Sequence, residues 1–262
     1  MRYFVVDAFA DAPFQGNPAG VCAVDRPLSE ELMQRIAAEN NLSETAFPAR
    51  REDGDYDLRW FTPLEEIDLC GHATLGTAFV VFNELEPGRE TVAFHTRSGI
   101  LRVSRRGDLL EMAFPVRRPE PVPPESVAPL LRDALGVEPL ETWLYRDLLV
   151  LVDSRKDVET LAPDIALLRR LPVGKAVVVT ARGESEDFVS RFFAPEMGIP
   201  EDPVTGSSHS MLVPFWAERL GKKDLLARQL SPRGGTLRCT LTDDAVLIRG
   251  RVIPYLRGEL AV

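Results

Sequence analysis

Histidine and cysteine are scarce in this sequence, three of each among 262 residues. Cys22, Cys70 and Cys239 form an odd set with no metal spacing, and His72, His95 and His209 complete no zinc motif. That argues against a disulfide scaffold or a structural zinc site, and leaves a reduced, cytoplasmic protein without a metal as the expectation. No apolar run approaches the roughly 20 residues that a membrane helix needs. The opening MRYFVVDAF begins directly as an alternating strand, so no secretory signal is expected. Lys and Arg number 31 against 40 Asp and Glu, a net charge of −9, and they form no dense stripe. Neither nucleic acid nor a membrane is an expected partner. What remains is ordinary for a soluble enzyme, 45% hydrophobic and 27% charged, in a chain long enough for one large domain or two ordinary ones.

Periodicity predicts strands over residues 2–9 and 20–24, on either side of a turn-rich Phe14-Gln15-Gly16-Asn17-Pro18-Ala19-Gly20. Ser29 is a good N-cap for a helix to about Asn40, with Leu32, Met33, Ile36 and Ala37 on one face. Strands are expected near 44–49 and 57–61, a helix over 72–84, and strands near 91–95, 99–105 and 109–114. Five prolines between Pro115 and Pro124 read as a linker. A similar order then begins again. A helix near 125–135 stops at Gly136, strands follow near 142–153, and a short helix near 164–170. Strands near 175–181 and 187–194 precede a helix near 207–220 and strands near 225–230, 235–241 and 245–249.

Residues repeat along with the elements. Arg59-Trp60-Phe61-Thr62-Pro63 returns 132 residues later as Arg191-Phe192-Phe193-Ala194-Pro195. The same offset sets Cys70-Gly71-His72-Ala73-Thr74 against Asp202-Pro203-Val204-Thr205-Gly206. Duplication is the better reading, with an N-terminal half over 1–114, a C-terminal half over 116–250, and the last strand, 251–262, returning to the first half. Two such halves face to face would enclose a cleft, with both small-residue turns facing it.

A turn of small residues opening a helix presents unpaired N–H groups and a positive dipole end, which suit a carboxylate or phosphate. Neither turn is a P-loop, because no lysine follows the glycine where one is needed. Each has a plainer account. Thr205, Gly206 and Ser207 can simply cap a helix, Asp202 can sit near a helix start for its dipole, and His72 can be a satisfied polar residue of a first turn. Cys70 can be a small buried hydrophobe, and His95 and His209 read as structural. Glu44, in AENNLSETAFP, stands where a helix-like stretch gives way to an apolar run. Spacing alone leaves open whether it is a solvated edge or a carboxylate held out of water.

Six segments in order resemble the phenazine-biosynthesis PhzF-like family, relatives of diaminopimelate epimerase. They are Val6-Asp7-Ala8-Phe9, Phe14 to Val21, Asn41 to Phe47, Arg59 to Pro63, Cys70 to Gly76 and Glu201 to Ser207. Gln229 to Gly235 also fits, so the resemblance spans nearly the whole chain. It implies an α/β (α+β) fold of two similar halves, each a central helix wrapped by a curved, mostly antiparallel sheet, with the active site between them. It implies a cofactor-independent isomerase of a small carboxylate, with a homodimer as its assembly and no metal, flavin or nicotinamide. The catalytic residues would be Glu44 as acid/base, with His72 and Asp202. Asn17, Gly71, Ala73, Gly206 and Ser207 would bind the substrate. A carboxyl group kept from water can take a proton from carbon and return it elsewhere. Related epimerases use two facing cysteines, but the second turn here has none. A Cys70-dependent epimerase or racemase therefore stands as the alternative enzyme, and a non-catalytic binder of small carboxylates as the alternative of another class.

Overall fold

The structure is a computed structural model describing residues 1–24 and 26–262, with Pro124 described by its backbone only. Two units share the chain. Unit 1 is Met1–Ala113 with Arg249–Val262, and unit 2 is Phe114–Ile248.

Unit 1 begins with β1 (Arg2–Ala8) and β2 (Asn17–Ala23), an antiparallel pair in register from Arg2↔Ala23 to Ala8↔Asn17. Between them Gly16 has φ +71°, and a Cβ there would stand 2.3 Å from the Ala8 carbonyl oxygen. Only glycine makes that turn without strain. The helix α1 (Glu30–Asn40) is capped as expected, Leu32 N–H donating to the Ser29 hydroxyl. Its apolar stripe buries Met33, Ile36 and Ala37 against Tyr3, Val5, Phe47 and Phe61. Fully burying each large side chain is worth roughly 1.5–3 kcal/mol.

Then come β3 (Glu44–Arg50), β4 (Tyr56–Phe61) and the two-residue β5 (Glu66–Ile67). The helix α2 (Gly71–Val80) follows, ending in a π-turn (Val81–Leu85). The strands β6 (Thr91–Thr96), β7 (Gly99–Arg106) and β8 (Leu109–Pro115) come next. β2 runs parallel to β3, β3 antiparallel to β4, and β4 parallel to β6. The helix expected over 72–84 is thus real but changes pitch near its end.

Helix α2 is buried almost all round, which makes it a core helix rather than a surface one. It packs on β1, β2, β3 and β7, and on β18 (Val252–Glu259), the returning C-terminal strand that pairs antiparallel with β1. Close approach depends on Gly76, where a Cβ would lie 2.7 Å from Val6 Cγ2. Gly76→Val is expected to destabilise by about 2 kcal/mol, overpacking outweighing any gain in helix propensity. A thermal melt checks this, since such a loss lowers Tm by several degrees.

Unit 2 repeats the order. After β9 (Glu120–Pro121) and α3 (Pro124–Leu135) come β10 (Glu141–Leu144) and β11 (Leu148–Leu151). Two short helices, α4 (Arg155–Glu159) and α5 (Ile165–Leu168), lead to β12 (Val177–Arg182), β13 (Phe188–Ala194) and β14 (Ile199–Asp202). Helix α6 (His209–Leu220) precedes β15 (Asp224–Gln229), β16 (Gly235–Leu241) and β17 (Ala245–Gly250). β11 is parallel to β12, β12 antiparallel to β13, and β13 parallel to β15. This is the pairing sequence of β2, β3, β4 and β6.

Three differences from the sequence reading have local causes. The expected strand 142–153 is a hairpin, β10 turning at Tyr145–Asp147 into β11. The proline-rich stretch is no plain linker, because β9 pairs with β10 through Trp143↔Pro121. Helix α4 was not expected, yet it carries a full capping box, the Ser154 side chain accepting from Asp157 N–H and Asp157 reaching back.

The repeat extends to side chains. In unit 1 Arg59 grips Glu66 with two hydrogen bonds of 2.6 Å and lies over the Phe61 ring at 5.2 Å. In unit 2 Arg191 grips Glu201 at 2.6 and 2.8 Å and lies over Phe193 at 5.1 Å. In each unit the arginine ties the long strand to the short one after it, which delivers the chain to the turn before the helix.

Candidate active site

Three separate stretches of unit 1 supply one cluster. Glu44 opens β3, paired across to Ala19 of the parallel β2. Asn17 opens β2, and His72 is the second residue of α2, whose N-cap is Cys70. Helix α2 lies against β2 and β3, so its first turn meets their starting ends. His72 Nε2 is 2.9 Å from Glu44 Oε2. That distance gives charge attraction, but the two atoms are not aligned as donor and acceptor, and neither has a hydrogen-bond partner among the described residues. On the other edge of the ring, Nδ1 lies 3.2 Å from Asn17 Nδ2 and 3.6 Å from Cys70 Sγ. All four residues are buried, Asn17 completely and Glu44 and His72 to 6% exposure.

Burial by itself would push the His72 imidazole down, but the Cys70 and Glu44 charges together outweigh it and hold the ring well above the usual histidine range. Burial pushes the Cys70 thiol up, and the Glu44 carboxylate pushes the same way. Such a thiol is protonated at neutral pH, the reverse of what a thiolate base needs.

One donor atom from each of Glu44, Cys70 and His72 lies within 4.8 Å of the others, close enough for a cation. Glu44, however, meets Nε2 while Cys70 meets Nδ1, and those lone pairs point away from each other. One ion cannot take all three without the ring or thiol turning.

The second turn lies in unit 2. Asp202 ends β14, half-buried, and its Oδ2 accepts from the Thr205 hydroxyl at 2.5 Å. Gln229, wholly buried at the end of β15, accepts from Thr205 N–H at 2.9 Å and donates to the Asp202 carbonyl at 2.7 Å. Gly206 is buried and Ser207 half-buried in the turn before α6, which starts at His209 rather than 207. His209 Nδ1 faces the Thr205 carbonyl at 2.9 Å, and burial pushes this imidazole down to about 4. His209 is therefore a neutral framework residue. His95 is a half-buried strand residue 4.0 Å from Asp55.

Sequence reasoning named Glu44, His72 and Asp202; Glu44 and His72 come together in unit 1, and Asp202 lies in the second turn, in unit 2. It read Asn17 as a substrate contact, and the Asn17 amide lies 3.2 Å from His72 Nδ1. It missed the role of Gln229, whose only signal is its place at the head of Gln229-Leu230-Ser231-Pro232.

A family model described as "PhzC-PhzF: Phenazine biosynthesis-like protein" matches residues 6–258. The chain belongs to that family. A PhzF-like protein of this length has relatives over its full extent. An uncharacterized isomerase of Pseudomonas aeruginosa is 52% identical, covering 99% of this chain and 98% of its own. A crystal structure of a PhzF-family phenazine biosynthesis protein from Enterococcus faecalis superposes with a TM-score of 0.96 at 45% identity, covering 100% of this chain and 99% of its own. A hydroxyproline epimerase from Agrobacterium vitis, only 12% identical, superposes with a TM-score of 0.63 over 98% of this chain and 91% of its own, a likeness of fold alone. The protein is an isomerase of the PhzF-like family, in a mixed α/β fold shared with racemases and epimerases.

Proposed function

We propose that this PhzF-like isomerase moves a proton between carbons of a small carboxylate substrate, without a cofactor, using Glu44 as acid and base. The observation that carries the reading is the buried contact of Glu44 Oε2 with His72 Nε2 at the head of α2. In the first step the Glu44 carboxylate takes a proton from a substrate C–H, and the electron pair left on carbon spreads into the adjoining unsaturated system. In the second, the protonated Glu44 returns that proton to another carbon. No electrons leave the substrate, so the product is an isomer. His72 holds the carboxylate in place and can share its proton. Asp202 steers the substrate, and the N–H groups of Gly71, Ala73, Gly206 and Ser207 take its carboxylate and the charge that builds during transfer.

Cys70 supports a second reading, an epimerase, because its sulfur is 3.6 Å from His72 Nδ1. Its raised thiol and the absence of a cysteine from the second turn weigh against it.

The test is a thermal-shift screen of carboxylate metabolites, with each hit followed by NMR in deuterium oxide. A ligand at 100 times its Kd adds about 2.7 kcal/mol of stability, which such a screen detects. At least one stabilising carboxylate is expected to take up solvent deuterium at carbon. Stabilisation by several ligands with no exchange in any would identify a binder and sink the enzymatic reading.

A further inference from the structure

We infer that Asn17 is a positioning residue for His72, its buried carboxamide pairing with Nδ1 whether the ring carries one proton or two. The inference rests on the reading of His72 as the partner that shares a proton with Glu44.

A histidine that keeps Nε2–H toward Glu44 and gains or loses its second proton at Nδ1 has to keep Nδ1 satisfied in both states. The neutral ring with its proton on Nε2 needs a donor at Nδ1, and the imidazolium needs an acceptor there. A carboxamide supplies both, because half a turn about its last bond exchanges N–H for C=O. Asn17 is wholly buried, and pairing of its backbone with Ala8 fixes where β2 begins. Its amide stands 3.2 Å from Nδ1, nearer than the Cys70 sulfur at 3.6 Å, and a thiol is the weaker partner in either direction.

The ionisable groups acting on the ring are Glu44 from β3 and Cys70 at the head of α2. Asp7, the buried carboxyl of β1, accepts from Phe14 N–H at 3.3 Å, and the buried Cys22 lies across from Tyr3 in the β1–β2 pair. On β7 and β18, which also pack on α2, the charged side chains are exposed or half-exposed. Nδ1 thus meets Asn17 and the Cys70 sulfur, while Nε2 meets Glu44.

Three histidines make this readable by NMR of protein labelled with nitrogen-15 in histidine, without any substrate. In the native chain the neutral His72 ring is expected to carry its proton on Nε2. Asn17→Asp, which offers only an acceptor when ionised, should hold the second proton at least tenfold more tightly. Asn17→Leu, which offers neither, should leave the neutral ring as a mixture of tautomers. Once a substrate is in hand, Asn17→Asp should lower kcat at least tenfold with KM little changed. A neutral native ring protonated on Nδ1, or folded variants whose His72 titrates and tautomerises as in the native chain, would overturn the inference. The native measurement decides even if neither variant folds. Should the nitrogen signals follow expectation while Glu44→Gln retains full exchange, the Asn17 role stands and the proposed reaction fails.

Discussion

Glu44→Gln is expected to lower solvent-deuterium exchange at the substrate carbon by about 10² to 10⁴-fold, the usual worth of general acid–base help. Glutamine keeps the shape of the side chain and an oxygen to face His72 Nε2, but it has no carboxyl proton to take and return. Cys70→Ala is the paired control. It removes a buried sulfur 3.6 Å from His72 and leaves Glu44 in contact with the ring, so exchange should stay within a few fold of the native rate. Exchange is the right assay because it reports proton transfer even where no net product forms. Melting curves on both variants separate lost chemistry from lost fold. Full exchange in Glu44→Gln together with none in Cys70→Ala would transfer the role to the thiol.

The two copies of the arginine device should differ sharply in stability, although their geometry is alike. Arg191 has a side chain only 8% exposed, donates to the Leu161 carbonyl at 2.7 Å, and supplies both hydrogen bonds to Glu201. Arg191→Met should cost about 3–5 kcal/mol, because it leaves a largely buried carboxylate without its cation. Arg59 is 31% exposed, and its partner Glu66 also meets Arg97 at 2.7 Å. Arg59→Met should cost about 1 kcal/mol or less, Arg97 keeping Glu66 paired. Urea titration with the midpoint and slope both fitted measures the difference. Adding Glu201→Gln to Arg191→Met should recover part of the loss, since the unpaired charge is gone. Equal costs at the two sites would show that burial does not set the energetics of this pair.

Much of the fold was written in local signals. Ser29 and the stripe Met33, Ile36 and Ala37 specify α1, because capping and a 3.6-residue period act within one element. The Arg59 and Arg191 segments marked the repeat, and both turned out to be the same strand with the same ion pair. The Ser154–Asp157 capping box was equally local and could have been read as the start of α4. The β9–β10 pairing could not, since a two-residue strand has no period and exists only where a partner lies beside it.

The sequence by itself determined most of the helix and strand segments, the repeat, and which chemically able side chains stand at turns. It left Glu44 undecided between a solvated edge and a carboxylate held out of water. Tertiary structure decided that, by laying β3 parallel to β2 and setting α2 against both. Residues 28 and 55 positions from His72, Glu44 and Asn17, were thereby brought to opposite edges of one imidazole. No local pattern encodes such a contact, because it depends on strand register and on how closely a glycine lets a helix approach. The same packing excludes water, and in its absence a carboxylate, an imidazole and an amide act on one another as a unit.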